Sequence, residues 1–423
     1  MSPSDGAAKT GSRKFLGLRG NALTISITEL VTGIGMFLTS PFWSLYALSL
    51  GASVTSLGFL QMFSGLLGVF LMVPGGYLAD KIGRKRPVVI GGLVATLGSV
   101  LQAFAQDWVQ LIPGMVLSSG MMMTWPARQS MVADDMLPEE RVPGFAAFFT
   151  LMMLPSAVMP TVSGYVMDYY GLVPGMRMSF IAAAALGGIA TVLRVRFISE
   201  SRSKPLQLEK PGGRGARLSV VLRDAFEPLS IRAVRTLFLG CSGIMLIFGF
   251  QQSFSSVYAV EVIRLSKTEW GVISGFMGVA SLFMRIPIAR LTVRIGERNA
   301  IIISQFGRSV YPAAFALSTD SFQLMALGLG YTAAFNLGSP AFQALLTEMS
   351  PPEKRGRVYG LWGMVWGGAT SVSPALAGLL WELWGAATAF YIASAAGALS
   401  TAYLLLFRDR LAAEELRLSE AKT

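Results

Sequence analysis

The sequence predicts an all-α membrane protein whose twelve transmembrane helices form two six-helix bundles. Three observations predict this fold class: the composition, the spacing of apolar runs and the distribution of basic residues. Of the 423 residues, 53% are hydrophobic and only 14% are charged, and the mean hydropathy is +0.55. A soluble protein of this length could not bury so much apolar surface, whereas lipid solvates an apolar surface that faces outward.

Apolar runs long enough to cross a hydrocarbon core recur along the whole chain. Each approaches or exceeds the ~20 residues that a helix needs for this crossing. We predict transmembrane helices over residues 22–50, 54–79, 87–106, 108–133, 144–169, 176–196, 233–260, 268–293, 299–318, 320–347, 357–381 and 386–407. The chain therefore fits two helical bundles with short loops better than two or three soluble domains.

Lysine and arginine residues fall almost entirely on one side of these spans. The formal net charge is +11, yet only Arg177, Arg264 and Lys267 lie on loops of the other side. Arg194, near the end of span six, is counted with the inner loop that follows it. This bias predicts a multi-pass protein of the cytoplasmic membrane with both termini in the cytoplasm. The charge is thus a signal of topology, so we predict the lipid bilayer as a partner and no nucleic acid.

The longest inner loop divides the chain into halves. We predict an N-terminal tail at 1–21, a first bundle at 22–196, a central loop at 197–232, a second bundle at 233–407 and a C-terminal tail at 408–423. Within the central loop, apolar residues recur at helical spacing from Leu218 to Phe226. This pattern favours a short amphipathic helix on the membrane surface over the alternative, a disordered linker.

Residue types that form disulfides and bind metals are scarce. Cys241 is the only cysteine and the chain has no histidine, which excludes internal disulfides, histidine metal sites and histidine proton relays. The catalytic patterns HExxH and GxSxG and a phosphate-binding glycine loop do not occur. We therefore predict no cofactor, no metal and no enzymatic activity. We also predict that the protein is a monomer.

The two halves of the chain resemble each other at an offset of about 213 residues, which indicates an internal duplication. Matching residues of the fifth and eleventh spans are Pro160 and Pro374, Gly164 and Gly378, Asp168 and Glu382, and Gly171 and Gly385. Transporters are commonly built from two six-span halves related by an axis along the membrane normal.

The loop between spans two and three carries the most specific motif. It reads GYLADKIGRK over residues 76–85 and resembles the loop signature of the major facilitator superfamily, G-x-L-A-D-R/K-x-G-R-K/R. The chain is similar to that superfamily over about residues 20–407. The resemblance implies a transporter in which two bundles rock to give access from alternate sides of the membrane. It carries no information about the substrate.

The resemblance also implies a gating role for one set of residues: Gly76, Asp80, Gly83, Arg84, Lys85 and, at the end of span four, Asp134. Gly76 would allow close helix approach and Gly83 a tight turn. In the family, the carboxylate matching Asp80 faces the N-terminal end of the eleventh helix, whose dipole favours negative charge. Arg84 would pair with Asp80 and Asp134 and latch the outward-open state. The alternative, a purely topogenic basic loop, does not explain Gly76, Asp80 and Gly83.

The corresponding loop between spans eight and nine departs from this pattern. Ala289, Val293 and Glu297 stand where Gly, Asp and Arg would be, although Gly296 and Arg298 remain. We therefore expect the latch to belong mostly to the first half of the chain.

Ionisable residues inside spans are costly and are candidates for function. Glu29 in span one and Arg128 in span four both lie roughly 10 Å from the inner edge, at 1.5 Å per residue. The superfamily places these two spans side by side, so we expect Glu29 and Arg128 to pair. If cavity closure separated or dehydrated the pair, Glu29 would take up a proton, which makes it our candidate for proton coupling. The alternatives are a static ion pair and side chains that reach the interface.

Further residues are candidates for substrate binding. Arg285 in span eight would bind an anionic substrate, whereas Arg308 in span nine is expected to be structural. Other candidates are polar or aromatic side chains on the predicted spans: Gln61, Gln251, Gln252, Asn336, Gln343, Phe42, Trp43, Tyr46 and Phe254. Because arginines outnumber carboxylates inside the spans, an anionic or amphipathic small molecule is favoured.

Two features bear on the direction of transport. Proton-driven exporters of the superfamily carry G-P-x-x-G-G in span five, where this chain reads MPTVSG over 159–164. They usually carry an arginine twelve residues before the proline of span four, where this chain has Gly114. The leading interpretation is a proton-coupled transporter most like a drug/proton antiporter. The alternatives are an organic-anion or sugar symporter and a non-transporting membrane sensor with the same fold.

Overall fold

The computed structural model describes residues 18–137, 140–200, 226–350 and 355–407, apart from the side chains of residues 73–74, 76–82 and 142. Within these ranges the chain is almost entirely helical, so the predicted all-α fold is confirmed. The predicted amphipathic helix of the central loop and most of both predicted tails lie outside the described residues.

Fifteen α-helices follow one another along the described part of the chain. They are α1 (Gly20–Thr39), α2 (Trp43–Ser49), α3 (Val54–Ile82), α4 (Lys85–Phe104), α5 (Leu111–Met123), α6 (Trp125–Asp134), α7 (Arg141–Met153), α8 (Met159–Tyr170), α9 (Leu172–Phe197), α10 (Arg232–Val257), α11 (Lys267–Ile295), α12 (Glu297–Ala316), α13 (Ser321–Glu348), α14 (Arg355–Trp384) and α15 (Ala386–Leu406). A π-helix, Tyr258–Val262, extends α10.

The described helices identify a multi-pass membrane protein. Eight helices or continuous helical runs are long and apolar enough to cross a membrane: α1 with α2, α3, α4, α7 with α8, α9, α10, α11 and α15. The remaining predicted spans coincide with α5 and α6, α12, α13 and α14, which are also helical. Large apolar side chains face outward, as lipid permits, since Leu406, Phe322 and Phe283 are 80%, 79% and 78% exposed.

Glycines form tight turns at matched places in the two halves. Gly83, between α3 and α4, has a φ of 88°, and Gly296, between α11 and α12, has a φ of 80°. Side chains other than glycine rarely adopt this left-handed region, so both positions favour glycine. Gly171 before α9 and Gly385 before α15 form a second such pair, with φ of 91° and 86°. Both pairs fall at the offset of the sequence repeat.

Prolines accompany the breaks within several spans. Pro41 lies in the 3-10 turn between α1 and α2, and Pro155 lies in the one between α7 and α8. Pro126 follows the break at Thr124 that separates α5 from α6. Proline lacks the backbone N–H and its ring clashes with the preceding turn, so it interrupts or kinks a helix. The short helix α6 that results carries Arg128.

Two helix pairs join the halves of the chain closely. Helix α3 packs against α14, and α8 packs against α11. A Cβ atom added at Gly58 would collide with the carbonyl oxygen of Pro374, and one added at Gly164 would collide with that of Lys267. Small residues therefore allow this close approach. We call the end of the molecule that carries Leu18 and Phe407, the first and last described residues, the terminal end. Both contacts lie at the other end, which we call the opposite end.

Helices α3 and α14 stay close along the part of α3 whose side chains the structure describes. At Gly367 an added Cβ atom would still meet Val69, at 2.8 Å. The two halves are therefore in close contact from the opposite end as far as the level of Gly367.

Candidate functional site

A buried ion cluster joins three helices of the first half of the chain. Glu29 on α1, Arg128 on α6 and Arg194 on α9 are only 5%, 4% and 1% exposed. Oε1 of Glu29 accepts hydrogen bonds from Nη1 of Arg128 at 2.6 Å and from Nη2 of Arg194 at 2.9 Å. The structure thus brings together the two residues that the sequence singled out, and it adds Arg194.

Neighbouring groups orient both arginines. Nε of Arg194 donates to the hydroxyl of Thr28 at 3.0 Å, and Nη2 of Arg128 donates to the carbonyl oxygen of Met121 at 3.4 Å. The guanidinium of Arg128 also lies over the ring of Trp125, 5.1 Å from its centroid. Such a cation–π contact is favourable in a desolvated site. The two cations are therefore held in fixed positions against one carboxylate.

The cluster has more positive than negative charge. When Glu29 is ionised, two guanidiniums face a single carboxylate. Buried charges are costly unless they are paired and hydrogen-bonded, and Nε of Arg128 has no hydrogen-bond partner among the described residues. Among the described residues, Glu29 is the one carboxylate that contacts both arginines, so the charge balance of the cluster depends on it.

In the count of basic residues, Arg194 is assigned to the inner loop that follows span six. The structure corrects this assignment. A basic residue near the end of a span usually extends to the membrane surface, which is why position 194 was not a candidate. Helix α9 continues to Phe197, so Arg194 lies within it and contacts Glu29 instead. The available signal was that residue 194 falls inside the predicted span 176–196.

The ion cluster forms one wall of a cavity of about 560 Å³. Methionines line much of the remaining wall: Met36, Met72, Met121, Met122, Met152 and Met153. Methionine is flexible and polarizable, so surfaces rich in it adapt to different apolar ligands. A cavity of this size fits a drug-sized molecule. The arrangement can hold an apolar body against the methionines and a polar group near the arginines.

A second cavity, of about 280 Å³, lies between the two halves. Gln251 and Gln252 on α10 line it together with Phe37 of α1. Nε2 of Gln251 and Nε1 of Trp270, which lines the same cavity, are buried without a hydrogen-bond partner among the described residues. Two such donors suit a ligand that carries acceptor oxygens, because an unsatisfied buried donor is costly.

A third cavity, of about 220 Å³, lies in the second half and is lined by Gln343 and Arg308. Asn336 and Arg285 line none of these three cavities. Asn336 is buried and donates to the carbonyl oxygen of Thr332 at 3.0 Å. Arg285 is exposed. Three of the predicted polar candidates therefore line one of these cavities: Gln251, Gln252 and Gln343. Asn336 and Arg285 do not.

The predicted aromatic candidates lie in the packed core instead of a cavity wall. Phe42, Tyr46 and Phe254 are all 0% exposed and belong to one hydrophobic cluster. The hydroxyl of Tyr46 donates to the carbonyl oxygen of Gln102 at 3.0 Å, and Nε1 of Trp43 donates to Oε1 of Gln102 at 2.7 Å. Gln61 donates to the hydroxyl of Ser44 at 3.4 Å. In this state these side chains hold helices together.

The motif loop connects elements of the first half at the terminal end. Arg84 contacts Asp134 at the end of α6. The backbone N–H of Arg84 donates to Oε1 of Glu200 at 2.7 Å, and Nζ of Lys85 donates to the carbonyl oxygen of Val195 at 2.8 Å. Gly83 provides the turn before α4. The side-chain positions of Gly76 and Asp80 lie outside those that the structure describes.

A charged contact at the opposite end joins the two halves. The carboxylate of Asp168, near the end of α8, accepts from the backbone N–H groups of Lys267 at 3.1 Å and Thr268 at 2.8 Å. The hydroxyl of Thr268 donates to the same carboxylate at 2.6 Å. Asp168 therefore lies at the N-terminus of α11, where the helix dipole favours negative charge.

The sequence matches the family described as Major Facilitator Superfamily over residues 25–337 and again over residues 264–423. The chain belongs to this superfamily, which confirms the resemblance drawn from the loop motif. It is therefore a membrane transporter and not an enzyme.

Individual relatives and a solved structure show which transporters this chain is similar to. The chain is 23% identical to the "Multi-drug resistance efflux pump PmrA" of Streptococcus pneumoniae over 403 residues, which are 91% of this chain and 96% of the relative. It is 22% identical to a "Na(+), Li(+), K(+)/H(+) antiporter" of Planococcus maritimus, over 79% of this chain and 83% of that one. Its fold resembles the crystal structure of a peptide transporter, POT, in complex with sulfate, with a TM-score of 0.75, 18% identity and coverage of 96% and 98%.

Proposed function

We propose that this chain exports small organic compounds across the cytoplasmic membrane in exchange for protons. The observation that carries the proposal is Glu29, a carboxyl group buried between Arg128 and Arg194 on the wall of a methionine-lined cavity. A multidrug efflux pump and a cation/proton antiporter among the relatives support transport of this type. A drug/proton antiporter is therefore the function that the site supports best.

The proposed architecture has twelve transmembrane helices in two six-helix bundles, at 22–196 and 233–407. The turn glycines at matched positions and the sequence repeat support two related halves. The cytoplasm is the proposed location of both termini and of the central loop 197–232, because lysine and arginine concentrate at that end. The proposed functional unit is a monomer.

The proposed substrates are neutral or anionic amphipathic molecules. The excess of guanidinium over carboxylate on the wall of the largest of the three cavities disfavours a cation there. The methionines provide an adaptable apolar surface, which supports transport of several unrelated compounds by one site. Gln251 and Gln252 would contact the substrate as it passes between the halves.

Glu29 is the proposed proton carrier. While ionised, it neutralises one of two arginines and links α1 to α6 and α9. When Glu29 takes up a proton, Arg128 and Arg194 lose their negative partner, and their repulsion favours a different arrangement of these helices. A proton taken up on one side and released on the other would thereby be exchanged for substrate.

The proposed cycle alternates between two arrangements of the halves. The contacts of α3 with α14 and of α8 with α11 hold the opposite end closed, and the proposed access in the present arrangement is from the terminal end. Opening the opposite end requires that Asp168 leave Lys267 and Thr268. Gly76, Asp80 and Arg84 of the motif loop are the proposed latch of the outward-open state, together with the rest of the motif and Asp134. Because the contact of Arg84 with Asp134 is already present here, the contact proposed to change between states is that of Asp80 with the N-terminal end of α14.

Transport by the purified full-length chain in proteoliposomes with an imposed pH gradient tests this proposal. We expect gradient-driven movement of norfloxacin, a quinolone whose carboxylate and ammonium charges cancel near neutral pH, in the direction opposite to protons. Glu29→Gln should abolish the response to the gradient, whereas Glu261→Gln, which alters an exposed carboxylate, should retain it.

Three other outcomes would each contradict part of the proposal. Gradient-driven transport that is undiminished in Glu29→Gln would exclude Glu29 as the proton carrier. Movement of substrate and protons in the same direction would identify a symporter. Saturable binding without any transport would identify a sensor.

A further inference from the structure

Arg308, on α12, lies in the wall of the third cavity and forms no ion pair with any residue that the structure describes. The side chain is 8% exposed, yet Nε and Nη2 of its guanidinium have no hydrogen-bond partner among the described residues. The cavity is lined by residues of α10, α12, α13 and α14, and none of the lining residues that the structure describes is acidic. A buried cation in an accessible cavity is therefore left without a counter-charge.

The two nitrogens without partners are the pair that can bind one carboxylate. The N–H bonds of Nε and Nη2 point in the same direction, so they form a fork that matches the two oxygens of a carboxylate. The guanidinium carbon lies 5.4 Å from the ring centroid of Phe335 and 5.8 Å from that of Tyr331. Rings therefore cover the face of the guanidinium. Nε and Nη2 are buried and unpaired in this arrangement, so a ligand would bind them once a neighbouring side chain moves.

Ordered water alone would not neutralise the charge of Arg308. Ordered water could accept the two hydrogen bonds, but the buried cation would still lack an opposite charge. In the first half, Glu29 supplies that charge to Arg128 and Arg194. In the third cavity, an anion from solution would have to supply it.

The walls of the third cavity suit a flat apolar group. The ring centroids of Phe342 and Trp362 are 4.0 Å apart, and Trp366 lines the same cavity. Its volume of about 220 Å³ fits a single-ring molecule, since drug-sized ligands occupy about 300–1,000 Å³. Ser339 and Gln343 on the wall are exposed, so a ligand can reach the cavity.

We propose that the third cavity binds a small aromatic carboxylate. The fork of Arg308 would hold the carboxylate, and the ring of the ligand would pack against Trp362 and Trp366. This site is separate from the cavity that contains Glu29, and its existence does not depend on whether the chain exchanges substrates for protons.

Equilibrium dialysis of radiolabelled benzoate against the full-length protein in detergent tests this proposal. We expect saturable binding by the wild type and a loss of affinity of roughly 10- to 100-fold in Arg308→Met, as for the loss of charge-assisted hydrogen bonds. Benzamide, which has the same ring without the charge, should not compete. Arg290→Met, which removes an exposed arginine of α11, should bind benzoate as the wild type does.

A second variant keeps the test decisive if Arg308→Met does not fold. Gln343→Glu retains Arg308 and adds a carboxylate to the cavity wall, so it should weaken benzoate binding without lowering the melting temperature. The proposal is overturned if either variant, once folded, binds benzoate with wild-type affinity, or if benzamide competes as well as benzoate. Displacement of benzoate by an equal concentration of chloride would also overturn it, because the site would then select an inorganic anion.

Discussion

Two cavities of this protein contain buried arginines, but their charge balance differs. In the first half, Arg128 and Arg194 share the carboxylate of Glu29 on the wall of a cavity of about 560 Å³. In the second half, Arg308 lies on a cavity of about 220 Å³ whose described lining residues include no acid. At the offset of the repeat, Ser242 corresponds to Glu29 and Ala95 corresponds to Arg308. The two halves of the chain therefore differ in charge at these positions.

The two proposals rest on this difference. In the first cavity, the negative charge that faces the two arginines is the carboxylate of Glu29, so the proposed proton transfer would act on that group. In the third cavity, Arg308 has no acidic neighbour among the described lining residues, so a bound carboxylate would supply the missing charge. The proposed proton site and the proposed anion site thus follow from one property, the presence or absence of an acidic neighbour.

The largest expected effect comes from removing the negative charge of the first cavity. Glu29→Gln leaves two buried guanidiniums without a counter-charge, and we expect the free energy of unfolding to fall by about 3–5 kcal/mol. Arg308→Met removes an unpaired buried cation and retains an unbranched apolar side chain, so we expect no such fall. Thermal unfolding of both variants in one detergent measures the contrast, and equal destabilisation would contradict it.

A smaller effect is expected when one of the two paired arginines is removed. Arg194→Gln leaves Glu29 paired with Arg128, so the remaining charges balance, although the bonds to Glu29 and Thr28 are lost or weakened. We expect a loss of about 1–3 kcal/mol in the free energy of unfolding, the range for hydrogen bonds to charged groups and buried polar groups left unpaired.

The double variant provides the control for this prediction. Because the two residues contact each other, Glu29→Gln combined with Arg194→Gln should destabilise the protein by less than the sum of the single changes. Chemical or thermal unfolding of the four proteins gives the coupling energy. An additive result, or a larger loss from Arg194→Gln than from Glu29→Gln, would mean that charge balance does not govern this cluster.

Much of the fold and part of the candidate site were predictable, because the patterns that indicate them lie within short stretches of the sequence. Apolar runs gave the positions of the helices, and glycine and charge gave the motif loop. Glu29 and Arg128 were recognisable because an ionisable residue inside an apolar run is costly and therefore unusual. Arg194 was not recognisable in this way, because it lies near the end of a span and its partner, Glu29, is 165 residues away in sequence.

Other side chains could not be placed from sequence for a different physical reason. An aromatic residue in an apolar run is equally compatible with core packing and with a cavity wall, and Phe42, Tyr46 and Phe254 are in the core. The environment of Arg308 depends on which helices surround it, because the rings of Tyr331 and Phe335 come from α13. Tertiary packing alone determines whether such an arginine meets an acid.

The smallest expected effect comes from making the third cavity resemble the first. Gln343→Glu adds a carboxylate to the wall that contains Arg308. We expect the free energy of unfolding to rise by up to about 1 kcal/mol, since position 343 is exposed and solvent screens a carboxylate there. Gln343→Leu, the matched control without the charge, should give no such increase. Melting temperatures measured without added anionic ligand should show a gain that shrinks at high salt, because salt screens exposed charges. The same gain in an Arg308→Met background would show that the new carboxylate does not act through Arg308.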